Sequence, residues 1–163
     1  MQRDDLEALY TRMERRLYNV VYRQLWSASD AQDVVQESFV RLWNMRDRVE
    51  LTTVEPLVFR IALNLAKNRR RSRRLWQWMP LDPFAKSKSK HADDALAEKQ
   101  TEHRMQRALD TLPPPLREVL LLCEMSELSY KDVAAALGIK EGTVGSRRNA
   151  ALEKLRTELG EPA

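Results

Sequence analysis

Glycine is nearly missing from this chain: four occur in 163 residues, at positions 138, 142, 145 and 160. The first 137 residues therefore hold none of the residue that tight hairpins use at positive φ, which argues against β-rich folds and for helices throughout. Cysteine is as scarce. Cys123 is single, so neither a disulfide framework nor a multi-cysteine zinc site is available, and its place in the apolar run VLLLC predicts a buried thiol in a reducing compartment. The two histidines, His91 and His103, stand apart, and no acidic cluster recurs at metal-ligand spacing. No cofactor and no metal are expected. No apolar stretch approaches the roughly 20 residues that span a bilayer. The charged N-terminus lacks the apolar core of a signal peptide, so a soluble, cytoplasmic protein is expected.

Charge is present in both signs. The 28 Lys and Arg exceed the 24 Asp and Glu by only four, so the concentration of cations in two places matters more than their total. A chain of 163 residues suits two small units with modest cores.

Apolar spacing organises the chain into helices. Leu6, Leu9, Met13, Leu17, Val20, Val21 and Leu25 predict a first helix over about residues 4–26. Asp30 is expected to cap a second, in which Val35, Phe39, Leu42 and Trp43 form the buried stripe and Asp33, Gln36, Glu37 and Arg41 face outward. Thr53 is the expected cap of a third, with Pro56 in its first turn and Leu57, Ile61 and Leu65 as its core face. Residues 75–98 lose periodicity and read as a linker long enough to let two units stand far apart. Trp76 and Trp78 in it are expected either to pack back on the first unit or to meet a partner. The second unit, residues 99–163, opens with Thr101, Met105, Ala108, Leu109 and Leu112 on one face. Pro115 opens the next helix, striped by Leu116, Val119, Leu120 and Cys123. The fold class is all-α: two small helical domains, residues 1–74 and 99–163, joined by a flexible linker.

Two stretches carry chemistry. In SYKDVAAALGIKEGTVGSRR, Ser129 and Asp132 resemble a capping box, Ala134 is small where two helices cross, and Gly138 ends the helix. This is a helix-turn-helix pattern, which puts Thr143, Ser146, Arg147, Arg148 and Asn149 on or near the groove-facing start of its second helix. Arg suits guanine edges and Asn adenine edges, while Ser and Thr more often hold phosphates. A helical hairpin with a solvated basic face is the bland alternative. The other stretch is KNRRRSRR, residues 67–74, with six cations in eight positions. Such a run at a helix end either serves the helix dipole or holds phosphate. Asn64, Lys67 and Asn68 at i, i+3 and i+4 favour the second, because they set amides for base edges beside Arg69, Arg70 and Arg71.

DAQDVVQESFVRLW, FRIALNLAKNRRR and LPPPLREVLLLCEMSELSYKDVAAALGIKEGTVGSR together closely resemble the extracytoplasmic-function (ECF) group of bacterial sigma factors. The resemblance covers most of the chain in the right order. It implies a sigma region 2 that binds the β′ clamp helices of RNA polymerase core and opens the −10 element, and a sigma region 4 that binds the β flap and reads the −35 element. By position, Asp33, Gln36, Glu37 and Arg41 would be the β′ contact. Asn64, Lys67, Asn68, Arg69, Arg70 and Arg71 would serve the −10 element, the loop from Asp47 to Thr53 base capture, and Thr143 to Asn149 the −35 element. The sequence departs from the usual pattern at Leu57, Gly145, Arg148, Asn149 and Ala150. Promoter DNA, polymerase core and an anti-sigma factor are the implied partners, and no catalysis is implied. A stand-alone helix-turn-helix regulator accounts for residues 101–160 but leaves the outward face of the second helix and KNRRRSRR unexplained. A DNA-processing enzyme with an appended reader is the third reading, and the isolated histidines and the lack of an acidic cluster at metal-ligand spacing weigh against it.

Overall fold

A stripe of apolar residues at three-and-four spacing makes α1, Arg3–Leu25, in which Leu9, Met13, Leu17, Val20, Val21 and Leu25 are all buried. Trp26 ends it at φ 53°, in the left-handed region where glycine is usual, and donates its amide to Tyr22 O at 2.5 Å. The structure is a computed structural model and describes residues 1–77 and 96–160, with the side chains of Trp76 and Gln77 excluded. Trp78, His91 and most of the expected linker lie outside the described residues, as does the packing of Trp76.

The second helix, α2, spans Ala28–Asn44 and is capped by Ser27, whose Oγ accepts from the Asp30 amide at 3.3 Å. Asp30 is therefore a first-turn residue and not the expected cap. Its carboxylate is engaged instead by cations from α3. Val34, Val35, Phe39 and Leu42 are buried, whereas Trp43 is only half-buried and lies beneath the Arg46 guanidinium at 4.5 Å. Two short 3-10 turns, Arg46–Arg48 and Leu51–Thr53, lead into α3, Val54–Gln77.

The core face of α3 is turned from the one expected. Val54, Val58, Phe59, Ala62, Leu63 and Ala66 are buried with Leu65, while Leu57 and Ile61 are half-buried. The reason is tertiary: α3 packs against α1 and α2 on one side and against α6 of the second unit on another, which widens the stripe beyond a single i, i+4 line.

The second unit comprises α4 (Leu96–Thr111), α5 (Pro114–Met125), α6 (Tyr130–Leu137) and α7 (Glu141–Leu159). In α4 only Ala108 and Leu109 of the expected face are buried, with Leu112 just beyond; Thr101 and Met105 are exposed. Pro114 and Pro115 occupy the first two positions of α5, where a missing amide costs nothing. Ser129 caps α6 through the Asp132 amide at 3.1 Å, and Gly138 ends it at φ 66° as the sequence predicts. Val144 and Ala151 of α7 are fully buried against α5 and α6. Among the described residues there is no strand, and no helix is long and apolar enough to cross a membrane.

The linker composition allows two separated units, yet here they touch. α3 contacts α6, and α1 contacts α5.

Candidate nucleic-acid interface

The basic run of α3 divides into two faces. Arg69, Arg70 and Arg73 turn inward to the ends of other helices. Arg70 donates to Gln24 O at 3.2 Å and Arg73 to Leu25 O at 2.5 Å, so both satisfy carbonyls at the C-terminus of α1, where positive charge is favoured. Arg69 pairs with Asp30 at 3.2 Å and with Asp33 at 3.6 Å, and Arg73 also pairs with Asp30. Burial pushes the Asp30 carboxyl up, but Arg73 and then Arg69 outweigh it and hold the group below the usual carboxylate range. Asn64, Lys67, Asn68, Arg71 and Arg74 are exposed on the other face. The run thus serves both the helix-end role and an open basic surface with two amides in its midst. The sequence separates neither, because it does not say which helix ends lie alongside α3.

On α2, Asp33, Gln36 and Arg41 are exposed and Glu37 is half-buried, and Arg41 pairs with Glu37 at 2.9 Å. Val40 lies among them with 58% of its surface open to solvent.

In the helix-turn-helix, a Cβ added at Gly145 would meet the Tyr130 ring Cε2 at 3.8 Å, an ordinary contact, so packing does not require glycine there. Ser146 and Asn149 are exposed, and Thr143 and Arg147 are half-buried. Arg148 is not open in the way the spacing suggests: its Nε and Nη2 donate to Glu124 Oε1 of α5 at 2.9 and 2.7 Å. The sequence reading missed this pair, since the partners are 24 residues apart. Cys123 is half-buried, and burial raises its thiol above the ordinary value.

Between the two units runs a second set of polar contacts that sequence spacing does not reveal. Arg117 of α5 is 4% exposed and donates from Nε to Gln24 Oε1 of α1 at 3.1 Å. Burial lowers its pKa to about 10, with Arg70 contributing. Arg16 donates to Ser126 O at 2.6 Å, and Arg60 donates to Ala136 O at 3.1 Å and to Ala135 O. Tyr22 donates to Glu102, and its phenol is pushed up to about 12 by burial and by that carboxylate.

Residues 9–75 match the family described as Sigma-70 region 2, and residues 102–155 match Sigma-70, region 4. The chain belongs to the sigma-70 family. This sigma factor is 33% identical over 147 residues to the ECF RNA polymerase sigma factor SigE of Mycolicibacterium smegmatis, a match covering 88% of this chain and 57% of that one. It thus spans little more than half the length of that relative. It is 30% identical over 135 residues to the RNA polymerase sigma-E factor of Streptomyces coelicolor, covering 80% and 72% of the two chains. With the ECF RNA polymerase sigma factor SigW of Bacillus subtilis it shares 25% identity, covering 88% and 83%. In fold it is similar to CnrH in complex with the cytosolic domain of CnrY, with a TM-score of 0.72 at 24% identity over 97% of this chain and 89% of that one. It is similar also to the sigma factor RpoE bound to the anti-sigma factor NepR from Bartonella quintana, with a TM-score of 0.71 at 22% identity over 98% and 99%. The sigma factor is of the ECF type, an alternative sigma factor that directs transcription initiation.

Proposed function

We propose that the first unit, residues 1–77, docks on RNA polymerase core through the outward face of α2 and takes hold of the −10 element with the open face of α3. In this reading Asp33, Gln36, Glu37 and Arg41 meet the β′ clamp helices, with Val40 as their apolar centre. Asn64 and Asn68 approach bases, while Lys67 and Arg71 hold backbone. Arg69 and Arg70, which brace α2 and α1, act by keeping α3 in place as well as by charge. The second unit meets the β flap and lays the start of α7 in the major groove of the −35 element. There Thr143 and Ser146 hold backbone, and Arg147 and Asn149 reach base edges, with Arg148 set beside them by Glu124. What supports this reading is that each unit sets cations beside amide or hydroxyl side chains, Lys67 and Arg71 by Asn64 and Asn68 in the first and Arg147 by Ser146 and Asn149 in the second, as a promoter with two elements requires. The protein works in the cytoplasm, where polymerase and promoter are. The two similar structures hold their sigma factors with CnrY and with the anti-sigma factor NepR, and this supports an inhibitory protein partner for the present chain.

The test is promoter opening. The isolated protein is expected to bind promoter duplex weakly, and addition of core polymerase to produce open complexes at a two-element promoter. Tight sequence-specific binding by the free protein, with no effect of polymerase, would instead identify a stand-alone regulator.

A further inference from the structure

Neither promoter element nor polymerase contact claims Arg74 and Arg117. Arg117 of α5 is 4% exposed, and its Nε donates to a neutral acceptor, Gln24 Oε1, at 3.1 Å. The carboxylate it pairs with, Asp110, stands off at 3.9 Å and is shared with Arg70 at 3.4 Å. A buried guanidinium needs opposite charge or hydrogen bonds in place of the water it has lost. Here one partly exposed carboxylate serves two guanidiniums. Burial lowers the pKa of Arg117 first, and the like charges of Arg70 and Arg74 lower it further, against Asp110 and Glu118.

This under-neutralised cation faces a space. A cleft of about 160 Å³ lies between α1, α3 and α5, and its charged walls are Lys67, Arg70, Arg71, Arg74, Arg117 and Glu118. Arg117 is buried and Arg70 half-buried, whereas Lys67, Arg71 and Arg74 are exposed. Five cations thus converge where one carboxylate stands. Guanidinium forks match phosphoryl oxygens in pairs, and cations arriving from two helices suit an anion with oxygens on several sides. Size then selects among phosphates. A phosphodiester within a nucleic-acid strand carries a sugar on either side, which keeps its oxygens away from a side chain as enclosed as Arg117. A free or terminal phosphoryl group has no such flanks.

We propose that this cleft is a binding site for a small phosphoryl anion of the pyrophosphate type. Arg117 is its innermost ligand, and Arg70, Arg74 and Lys67 close around the remaining oxygens. Glu118, which faces Lys67, Arg117 and Arg147, competes with the anion for these cations. The exposed Lys67 and Arg71 remain able to meet strand backbone, so the rim and the depth of the cleft differ in what they take. The promoter-binding role neither requires this site nor depends on it.

The test is calorimetric titration of the full-length chain with inorganic pyrophosphate, in magnesium-free buffer at fixed ionic strength, with sulfate as the comparison anion. A single site is expected, at which sulfate binds about tenfold more weakly. Arg117→Gln should weaken pyrophosphate binding by about tenfold, and Arg74→Gln, at an exposed position, by about threefold. Glu118→Gln removes the competing charge and should tighten binding by about threefold. Lys154→Gln, an exposed cation of α7 outside the cleft, should change nothing. If circular dichroism shows Arg117→Gln to be unfolded, the opposite shifts of Arg74→Gln and Glu118→Gln decide the matter. Equal binding of sulfate and pyrophosphate would overturn the proposal, as would an equal loss from Lys154→Gln or unchanged affinity in a folded Arg117→Gln. Absence of pyrophosphate binding would overturn it too. A loss of affinity for a fluorescent bubble duplex on Arg117→Gln would in that case assign the phosphates of the cleft to DNA.

Discussion

Glycine-poor chains must end helices with other residues, and two positions show the cost. Trp26 and Glu127 both sit in the left-handed region, at φ 53° and 61°. A side chain there crowds the backbone by about 1–2 kcal/mol, partly offset by the greater entropy glycine loses on folding. Glu127→Gly is therefore expected to raise stability by about 0.5 kcal/mol in chemical denaturation, its ion pair with Arg16 at 3.7 Å being largely open to water. Asp30 has the opposite character. Its pKa is depressed, so the folded form releases this proton more readily than the unfolded one. The stability it adds is complete above its ordinary value of 3.8 and is lost as pH falls through the folded value. Asp30→Asn should cost about 1–2 kcal/mol at neutral pH and flatten the acid limb of the stability profile, as melting temperature against pH will show. In α7, Arg148 and Glu124 are expected to act together. Arg148→Ala and Glu124→Ala should alter the −35 preference in the same way, with a coupling of about 0.5 kcal/mol in a double-mutant cycle read by a promoter library. Asn149→Ala should relax preference at one position only, by about 1–3 kcal/mol.

At the scale of elements, α2 and α3 each bury one face in their own unit and leave another open. α2 buries Val34, Val35, Phe39 and Leu42 and leaves Gln36, Val40 and Arg41 in solvent. Val40→Asp combined with Glu37→Lys should leave the fold intact while weakening core-polymerase binding by about 1–3 kcal/mol, because an apolar contact is lost and the surface charge is changed. Circular dichroism and a polymerase-binding titration on the same sample check both halves of that statement. α3 has three tasks: its buried stripe closes the first unit, Arg69 and Arg73 tie the adjoining helix ends, and Asn64, Lys67 and Asn68 remain outside. Phe59, fully buried, belongs to the first task alone. α6 is eight residues long and depends on its ends, where Ser129 and Gly138 satisfy backbone groups that so short a helix cannot satisfy internally.

For the whole molecule, the two units differ in how far they stand alone. The first has a core drawn from three long helices, with Leu9, Met13, Leu17, Phe59 and their neighbours buried by α1, α2 and α3. The second buries fewer and smaller side chains, among them Val133, Ala134, Val144 and Ala151. Small domains with little buried area are marginal. A fragment of residues 1–77 should melt cooperatively by circular dichroism, whereas one of residues 96–160 should melt at lower temperature and gain stability when the first is added. Separate melting of the two units within the intact chain, with no mutual effect, would contradict this.

Periodicity and end signals determined much by themselves. The spacing of Leu9, Met13 and Leu17 gives α1, Ser129 and Gly138 bound α6, and the order of motifs gives the sigma-70 family. These are local or additive features, readable because a helix repeats every 3.6 residues and its ends want particular atoms. Only the tertiary structure decided which cations are spent on helix ends. Arg70 and Arg73 are indistinguishable in sequence from Arg71 and Arg74, and their roles depend on where Gln24 and Leu25 come to rest. The same holds for Arg148, held by a carboxylate 24 residues away, and for the turned face of α3. It holds most of all for the contact of the two units. Arg60 and the carbonyl of Ala136 lie 76 residues apart, and no spacing rule joins a side chain to a helix end across that distance.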